Sequence, residues 1–408
     1  MTPRQQLDDL AERKLLRSIT TYPATGTRVT VDGRELWNFA SNDYLGLAHH
    51  PAVAAAFIEG IGKYGAGATA SRLVTGSAAP HLLLEETIAA AKKAEAALTF
   101  TSGYNTALSA IPVIAGKGDF VILDRLAHAS LIDAARMSGA TLRVFPHNDT
   151  AKLGAILSKL RAKKPAARIL VITESVFSMD GDLCPLAEIL AVCETHGALL
   201  LLDEAHATGI LGAQGMGLAE KLGLQEKIPF QMGTLSKAVG LSGGYLAASR
   251  DWIDLIANRA RPFIYTTAPP PALAHAALAA LGIIRSDEGE SLRKTLFQNI
   301  AILRENQPSA IIPHILGENE TTLAASAALR EKGFLAPAIR FPTVPQGTAR
   351  LRITVSAKHP NEAIEALANE LRNQPQMDRM NADEQRGIRF PNSSSSSAFI
   401  PFIYGSLI

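Results

Sequence analysis

The sequence contains little cysteine, few aromatic residues and almost no net charge. Its 408 residues include two cysteines and 6% aromatic residues, and the formal net charge is only +2. Two cysteines are too few for a disulfide framework or a cysteine-rich metal site. A nucleic-acid surface needs a basic field or stacking rings, and neither is indicated here. We therefore expect no nucleic-acid partner.

The chain also lacks an apolar run that could form a transmembrane helix. The longest charge-free stretch, residues 266–284, contains three consecutive prolines from Pro269 to Pro271. These prolines are incompatible with one continuous membrane-spanning helix. Residues 1–18 alternate charged residues with leucine and contain no signal-peptide core. We therefore expect a cytoplasmic protein without a membrane segment.

Six short apolar runs alternate with helical stretches between about residues 50 and 285. These runs are 97–101, 120–123, 142–145, 169–173, 199–202 and 230–232. Such alternation is typical of βαβ units, whose parallel strands are covered by helices on both faces. The sequence therefore predicts an α/β fold with a mainly parallel sheet between helices, followed by a smaller α/β domain.

The chain is predicted to divide into four segments. Residues 1–47 would form an arm, with an amphipathic helix over residues 1–20 and then a hairpin that turns at Asp32-Gly33. Residues 48–285 would form the large domain and residues 286–372 the smaller C-terminal domain. Residues 373–408 contain five consecutive serines, which predict an appended, disordered tail.

Polar side chains follow several apolar runs, at the sheet edge where open α/β sheets bind ligands. Lys237 ends the segment Gly233-Thr-Leu-Ser-Lys237, whose small residues would desolvate its amine and favour a Schiff base. The hydroxyls of Thr234 and Ser236 could bind a phosphate. Asp203 follows four leucines, a position where a carboxylate needs a cationic partner such as a pyridinium nitrogen. A lysine with such an acidic partner is the signature of a pyridoxal phosphate (PLP) site.

Five motifs in this order give the chain a family resemblance. They are Ser41-Asn-Asp-Tyr-Leu-Gly-Leu47, Ser175-Val-Phe-Ser-Met-Asp-Gly-Asp182, Asp203-Glu-Ala-His-Ala-Thr-Gly209, Thr234-Leu-Ser-Lys237 and Pro342-Thr-Val-Pro-Gln-Gly-Thr-Ala-Arg-Leu-Arg-Ile-Thr354. Together they resemble the α-oxoamine synthases, PLP-dependent transferases with the aspartate aminotransferase fold (fold type I), over about residues 1–372. The resemblance implies a decarboxylative condensation of an amino acid with an acyl thioester. It favours the branch of biotin biosynthesis, which uses L-alanine and pimeloyl-CoA or pimeloyl-acyl carrier protein.

The resemblance also implies roles for individual residues. Lys237 would bind the cofactor covalently and move the Cα proton, while Asp203 would pair with the pyridinium nitrogen. His128 would stack on the ring, and Ser178 and His206 would bind its substituents. The residues implied for the phosphate are Gly103, Tyr104, Thr234, Ser236 and, from the second subunit of a homodimer, Thr266 or Thr267. Those implied for the substrate are Arg17, Asn42, His128, Arg352 and Thr354. Of these, Arg17 lies two residues further from Tyr22-Pro23 than the arginine that the family carries there.

Other functions fit the sequence less well. The segment Gly60-Ile-Gly-Lys-Tyr-Gly65 matches a dinucleotide fingerprint, but it follows a helical pattern where an NAD-dependent oxidoreductase needs a strand. A metallohydrolase could use Asp203, His206 and His128, but their spacing matches no metal-ligand pattern, and we expect no metal. Within the family, 2-amino-3-oxobutyrate ligase (glycine C-acetyltransferase), 5-aminolevulinate synthase and serine palmitoyltransferase stay open as alternatives. One methylene in an apolar pocket changes specificity by only about 1–3 kcal/mol.

Overall fold

A computed structural model describes residues 1–13, 15–23 and 26–372, which form two compact units. The large unit comprises residues 42–311 and 355–359. The small unit comprises residues 1–41, 312–354 and the described residues from 360 on. The sequence-based division placed its boundaries at 47/48 and 285/286, and its tail, residues 373–408, lies outside the described residues.

A seven-stranded sheet forms the centre of the large unit. Its strands are β3 (Ala96–Phe100), β4 (Phe120–Asp124), β5 (Thr141–Phe145), β6 (Ile169–Glu174), β7 (Leu199–Asp203), β8 (Phe230–Thr234) and β9 (Gly244–Ala248). They lie in the order β3-β9-β8-β7-β6-β4-β5, and only β9 runs antiparallel to its neighbours. The predicted mainly parallel sheet is confirmed, and each of the six apolar runs is a strand.

Helices flank this sheet. They are α2 (Pro51–Tyr64), α3 (Ala79–Lys92), α4 (Gly103–Ile114), α5 (Ala129–Met137), α6 (Thr150–Lys163), α7 (Leu186–Thr195), α8 (Leu218–Lys221), α9 (Arg250–Arg259), α10 (Arg261–Ile264), α11 (Pro271–Ile284) and α12 (Asp287–Leu303). Ile111 of α4, Leu131 of α5 and Ile256 of α9 belong to the same buried cluster as Leu123 and Leu246 of the sheet. Every residue of β3, β4, β6, β8 and β9 is buried, as expected for a sheet covered on both faces.

Two of these helices bear on the sequence predictions. The dinucleotide-like segment 60–65 lies in the C-terminal part of α2 and its cap, so the strand that such a fingerprint requires is absent before it. Helix α12 belongs to the large unit because the Arg293 guanidinium donates to the carbonyls of Ile284 and Ala213, both at 2.6 Å. None of the helices in the described ranges is long and apolar enough to cross a membrane.

The described residues of the small unit form two three-stranded sheets and three helices. One sheet has the order β1-β2-β11 and the other β10-β13-β12. The strands are β1 (Arg28–Val31), β2 (Arg34–Asn38), β10 (Ile311–Gly317, whose first residue belongs to the large unit), β11 (Phe334–Leu335), β12 (Ala338–Ile339) and β13 (Ala349–Thr354). The helices are α1 (Pro3–Glu12), α13 (Asn319–Glu331) and α14 (Asn361–Arg372).

The N-terminal arm differs in part from its prediction. The hairpin is confirmed, with Asp32 and Gly33 both at positive φ, 51° and 77°, as a tight two-residue turn requires. The helix predicted over residues 1–20 is too long, because α1 ends at Glu12. The N–H groups of Leu15 and Leu16 both donate to the Leu10 carbonyl, which ends the helical hydrogen-bond ladder.

Candidate active site

The side chain of Lys237 lies in a buried polar chain of the large unit. Its Nζ is 2.7 Å from Nε2 of His206, and Nδ1 of His206 is 2.7 Å from the Tyr44 hydroxyl. The Tyr44 hydroxyl donates to Oδ1 of Asn42 at 3.1 Å. His206 therefore donates from Nδ1 to Tyr44, and its Nε2 is left to accept from Lys237. This network fixes the position of the amine and the tautomer of the imidazole.

Two carboxyl groups lie side by side at the ends of adjacent strands. Glu174 of β6 is paired in register with Asp203 of β7, and both side chains are buried. Burial and the nearby Asp203 carboxylate raise the pKa of Glu174 well above its usual range. Burial also raises the pKa of Asp203, although the charge of Lys237 opposes this effect. A ligand cation beside Asp203 would stabilise its ionised form.

His128 follows β4 and caps helix α5. Its Nδ1 bonds to the hydroxyl of Ser130 at 2.8 Å, and Glu174 accepts its backbone N–H at 2.6 Å. The imidazole reaches solvent, but the protein atoms around it remove part of its hydration. This desolvation and the charge of Lys237 lower its pKa to about 4. His128 is therefore neutral at pH 7 and can stack on an aromatic ring without adding charge.

The N-terminus of α4 meets the loop after β8. A Cβ atom at Gly103 would lie 3.5 Å from Cβ of Thr234, and one at Gly244 would lie 2.7 Å from the backbone nitrogen of Gly103. Thr234 Oγ1 is 2.7 Å from the hydroxyl of Ser236. The glycines thus allow the first N–H groups of α4, at Gly103 and Tyr104, to lie beside two hydroxyls. Such a helix N-terminus binds anions.

Ser178 lies in a tight loop after β6. The N–H of Phe177 donates to the Asp182 carbonyl at 3.0 Å, and the N–H of Gly181 donates to the Phe177 carbonyl at 2.8 Å. These hydrogen bonds fix the loop and bury Ser178. Thr266 is half-buried, whereas Thr267 is exposed and forms an isolated bridge with Ser71. The contribution of Thr266 or Thr267 to a second subunit stays a prediction.

The remaining candidates belong to the small unit. Arg352 is buried on β13, and the hydroxyl of Thr354 on the same strand donates to the Phe39 carbonyl at 2.9 Å. The Arg17 guanidinium is 3.3 Å from the Thr343 hydroxyl, and Arg17 and Arg340 line a cavity of about 120 Å³. The large unit holds the predicted cofactor residues, with contacts that join Lys237 to His206 and Thr234 to Ser236, and the small unit holds these three predicted substrate residues. The roles of all of them stay predictions.

Sequence reasoning did not assign a role to Tyr44 or to Glu174. Tyr44 lies inside the first family motif, and Glu174 ends an apolar run, so both positions carried a signal. Their contacts could not be read from the sequence, because they join segments that are distant along the chain. In the described part of the chain, no three His, Cys, Asp or Glu side chains are arranged to bind a metal ion.

Comparisons with known proteins agree with this geometry. The family model for aminotransferases of class I and II matches residues 34–371. The chain belongs to this family. Within it, the chain is 44% identical to the 8-amino-7-oxononanoate synthase of Geobacter sulfurreducens over 371 residues, which cover 88% of this chain and 94% of the relative. The α-oxoamine synthase resemblance carried by the motifs is confirmed.

Two solved structures share the aminotransferase-like fold. A serine palmitoyltransferase from S. paucimobilis with a bound PLP–myriocin aldimine matches with a TM-score of 0.85 and 29% identity, over 91% of this chain and 96% of that one. An 8-amino-7-oxononanoate synthase from Francisella tularensis matches with a TM-score of 0.70 and 25% identity, over 83% and 97% of the two chains. The predicted fold type I architecture is confirmed.

The residues at this sheet edge fit PLP. The group carries an aldehyde, a basic ring nitrogen and a phosphate, and each meets a suitable partner among the described residues. The Lys237 amine suits the aldehyde, the buried Asp203 carboxyl suits a protonated nitrogen, and the N-terminus of α4 suits the phosphate. Oγ1 of Thr234 lies beside this N-terminus and 2.7 Å from the Ser236 hydroxyl, which adds two hydroxyl groups suited to phosphate oxygens.

Proposed function

We propose that this protein condenses L-alanine with a pimeloyl thioester, using PLP, to yield 8-amino-7-oxononanoate, CO₂ and the free carrier thiol in biotin biosynthesis. The observation that carries the proposal is a buried Asp203 carboxyl at the same sheet edge as a Lys237 amine held by His206. Burial raises the pKa of Asp203, and the charge of Lys237 lowers it against this effect. Curated relatives that are 43–48% identical to the chain are described as 8-amino-7-oxononanoate synthases, one of them as putative. These names support the choice of alanine and pimeloyl substrates.

Bound PLP supplies an aldehyde for amino groups and a conjugated ring that stabilises a carbanion at the substrate Cα. The Lys237 amine would hold the aldehyde, and its Nζ, once freed by the incoming amino acid, would accept the Cα proton. His206 orients this amine through Nε2, and Tyr44 fixes His206 from the other side. Asp203 would pair with the ring nitrogen and favour its protonated form, and neutral His128 would cover the ring and exclude water.

The substrate groups are assigned to the small unit and to Asn42. Arg352 is proposed to bind the alanine carboxylate, with Thr354 on the same strand as a further substrate contact. Pimeloyl has a free carboxylate at the far end of its chain, and guanidinium groups bind carboxylates. Within the small unit, Arg17 and Arg340 line a cavity of about 120 Å³.

The finer parts of the proposal rest on the sequence. They are a homodimer whose second subunit contributes Thr266 or Thr267 to the phosphate, a cytoplasmic location, and CoA or acyl carrier protein as the acyl carrier. The solved neighbours include serine palmitoyltransferases at 29–30% identity and an 8-amino-7-oxononanoate synthase at 25% identity. The preference for the pimeloyl reaction is supported by the curated relatives at 43–48% identity.

The deciding experiment identifies the product by mass. Purified protein loaded with PLP is incubated with alanine, glycine or serine, each together with pimeloyl-CoA, pimeloyl-acyl carrier protein or acetyl-CoA. We expect product only from alanine with a pimeloyl thioester, and the better carrier shows the natural donor. Product from glycine with acetyl-CoA alone would instead assign the 2-amino-3-oxobutyrate ligase reaction.

Substitution of the nucleophile tests the site itself. Lys237→Ala is expected to abolish both turnover and the visible absorbance of the covalently bound cofactor, because it removes the amine proposed to bind the aldehyde and to accept the Cα proton. The exposed Lys227 provides a matched control, since Lys227→Ala removes a lysine from the surface of the same unit. Full activity in Lys237→Ala would contradict the proposed function.

A further inference from the structure

A charged cluster in the large unit has no role in the chemistry described so far. Nδ1 of His147 is 3.0 Å from Oδ1 of Asp124, and Nε2 is 2.8 Å from Oδ2 of Asp182. His147 follows β5, Asp124 ends β4, and Asp182 lies in the loop after β6. We call these three residues the His147 cluster. It joins three segments of the chain through one imidazole.

On one side, the cluster fixes the turn that leads to His128. Oδ1 of Asp124 accepts the N–H of Leu126 at 2.8 Å, and Oδ2 accepts the N–H of Asn148 at 2.9 Å. The Asp124 carbonyl also accepts the N–H of Ala127, which precedes His128. A shift of the Asp124 carboxylate would therefore move the backbone that presents the ring-stacking imidazole.

On the other side, the cluster fixes the loop that contains Ser178. The Phe177 ring meets the His147 ring edge-on, with centroids 4.4 Å apart and an interplanar angle of 90°. Asp182 closes the same loop through its carbonyl. Phe177 directly precedes Ser178, and Asp182 ends the loop. His147 contacts both residues and therefore contacts the loop at both of its ends. One side chain thus connects the supports of two residues proposed to bind the cofactor.

Only the protonated form of His147 can make both contacts as a donor. A neutral imidazole has a single N–H, whereas the imidazolium donates from both nitrogens. The charged groups that face His147 are Asp124 from β4 and Asp182 from the loop after β6, and the neighbouring Phe177 and Asn148 are uncharged. Burial lowers the pKa of His147, but the two carboxylates outweigh it and raise the value to about 9.

We propose that His147 is a positioning residue for cofactor binding: its protonated ring holds the turn before His128 and the Ser178 loop together, and loss of its proton at alkaline pH weakens PLP binding. The proposal rests on the proposed function only in taking PLP as the bound group. Atoms of His147 need not touch the cofactor, because its effect passes through Asp124 and Asp182.

The test measures PLP affinity by visible absorbance between pH 6.5 and pH 10. At pH 7.5, we expect His147→Gln to bind PLP about tenfold more weakly than the wild-type protein, since charge-assisted hydrogen bonds are lost. This ratio should fall towards one as the pH rises past 9, and the comparison removes the effect of other groups that titrate in that range. His196→Gln serves as the control, because His196 caps α7 away from both loops. Equal affinities of His147→Gln and wild type across the range would overturn the proposal.

A second variant separates the proposal from a purely structural role. Asp182→Asn removes one carboxylate while its amide oxygen can still accept from Nε2, so the fold is preserved better than in His147→Gln. His147 should then lose its proton at lower pH, and the midpoint of the alkaline decline in affinity should shift down by about one unit or more. An unchanged midpoint overturns the proposal. A protein that binds PLP in this manner but forms no product would contradict the proposed function and not the role of His147.

Discussion

Two ionic clusters lie close to the functional edge of the sheet, and they differ in their contact with water. Lys92 Nζ is 2.5 Å from Oε2 of Glu204 and 2.5 Å from the Met216 carbonyl. Its side chain is 1% exposed and that of Glu204 is 0% exposed. In the His147 cluster, the side chains of His147 and Asp182 are 13% and 20% exposed. Both clusters adjoin the site, since Glu204 follows Asp203 and Asp124 precedes the turn to His128.

Both clusters pair a cation with carboxylate groups, but the pKa values of the two cations differ. Burial alone would lower the pKa of Lys92, but the Glu204 carboxylate outweighs it and raises this pKa above its ordinary value. Lys92 therefore keeps its proton to a higher pH than an ordinary lysine. His147 instead titrates near pH 9. One cluster is a permanent part of the fold, and the other responds to pH.

The largest effect is expected from removing one partner of the buried Lys92–Glu204 ion pair. Lys92→Met leaves the Glu204 carboxylate buried without its cation, and breaking such a pair costs about 3–5 kcal/mol of unfolding free energy. Chemical denaturation measures this loss. The neighbouring Lys93 is the matched control, since it is exposed and lies 3.7 Å from Glu226. The double variant Lys92→Met/Glu204→Gln removes both charges and should recover part of the stability. If Lys92→Met lost no more unfolding free energy than Lys93→Met, burial would not strengthen the Lys92–Glu204 pair.

The next effect concerns the His147 cluster and depends on pH. The pKa of His147 rises from 6.5 to about 9 on folding, so its contribution is complete below pH 6.5 and is lost as the pH rises through 9. A shift of this size corresponds to about 3 kcal/mol. The difference in unfolding free energy between wild type and His147→Gln should therefore be largest near pH 6 and shrink above pH 9. A difference that does not change with pH would contradict a titrating His147.

Local pattern was enough to predict the sheet edge. Asp203 and Lys237 each follow an apolar run, and the carboxyl ends of parallel strands meet at one edge, so short segments predicted both residues. The hairpin was also local, because Asp32-Gly33 specifies its own turn. In each case, neighbouring residues supply the physical cause of the structure.

Contacts between distant segments could not be predicted in this way. Tyr44 and His206 are 162 residues apart, and no spacing rule connects them. The sequence does not predict strand β9, Gly-Tyr-Leu-Ala-Ala, because glycine and alanine, which have low strand propensity, occupy three of its five positions. Its place depends on β3 and β8, which pair with it on both sides. The Tyr44–His206 contact and strand β9 depend on packing between distant segments, which the local sequence pattern does not predict.

The smallest effect is expected at an exposed pair of the small unit. Arg34 Nη1 is 2.5 Å from Oε2 of Glu331, the same distance as between Lys92 Nζ and Glu204 Oε2, but the two side chains are 64% and 69% exposed. Water already solvates both exposed ions and continues to solvate Glu331 after the substitution, so Arg34→Ala should leave the melting temperature unchanged within error. Adding salt should make no further difference between the two proteins. A decrease comparable with that of Lys92→Met would mean that distance, and not burial, sets the strength of these ion pairs. Because the distances are equal, the two substitutions isolate the effect of water.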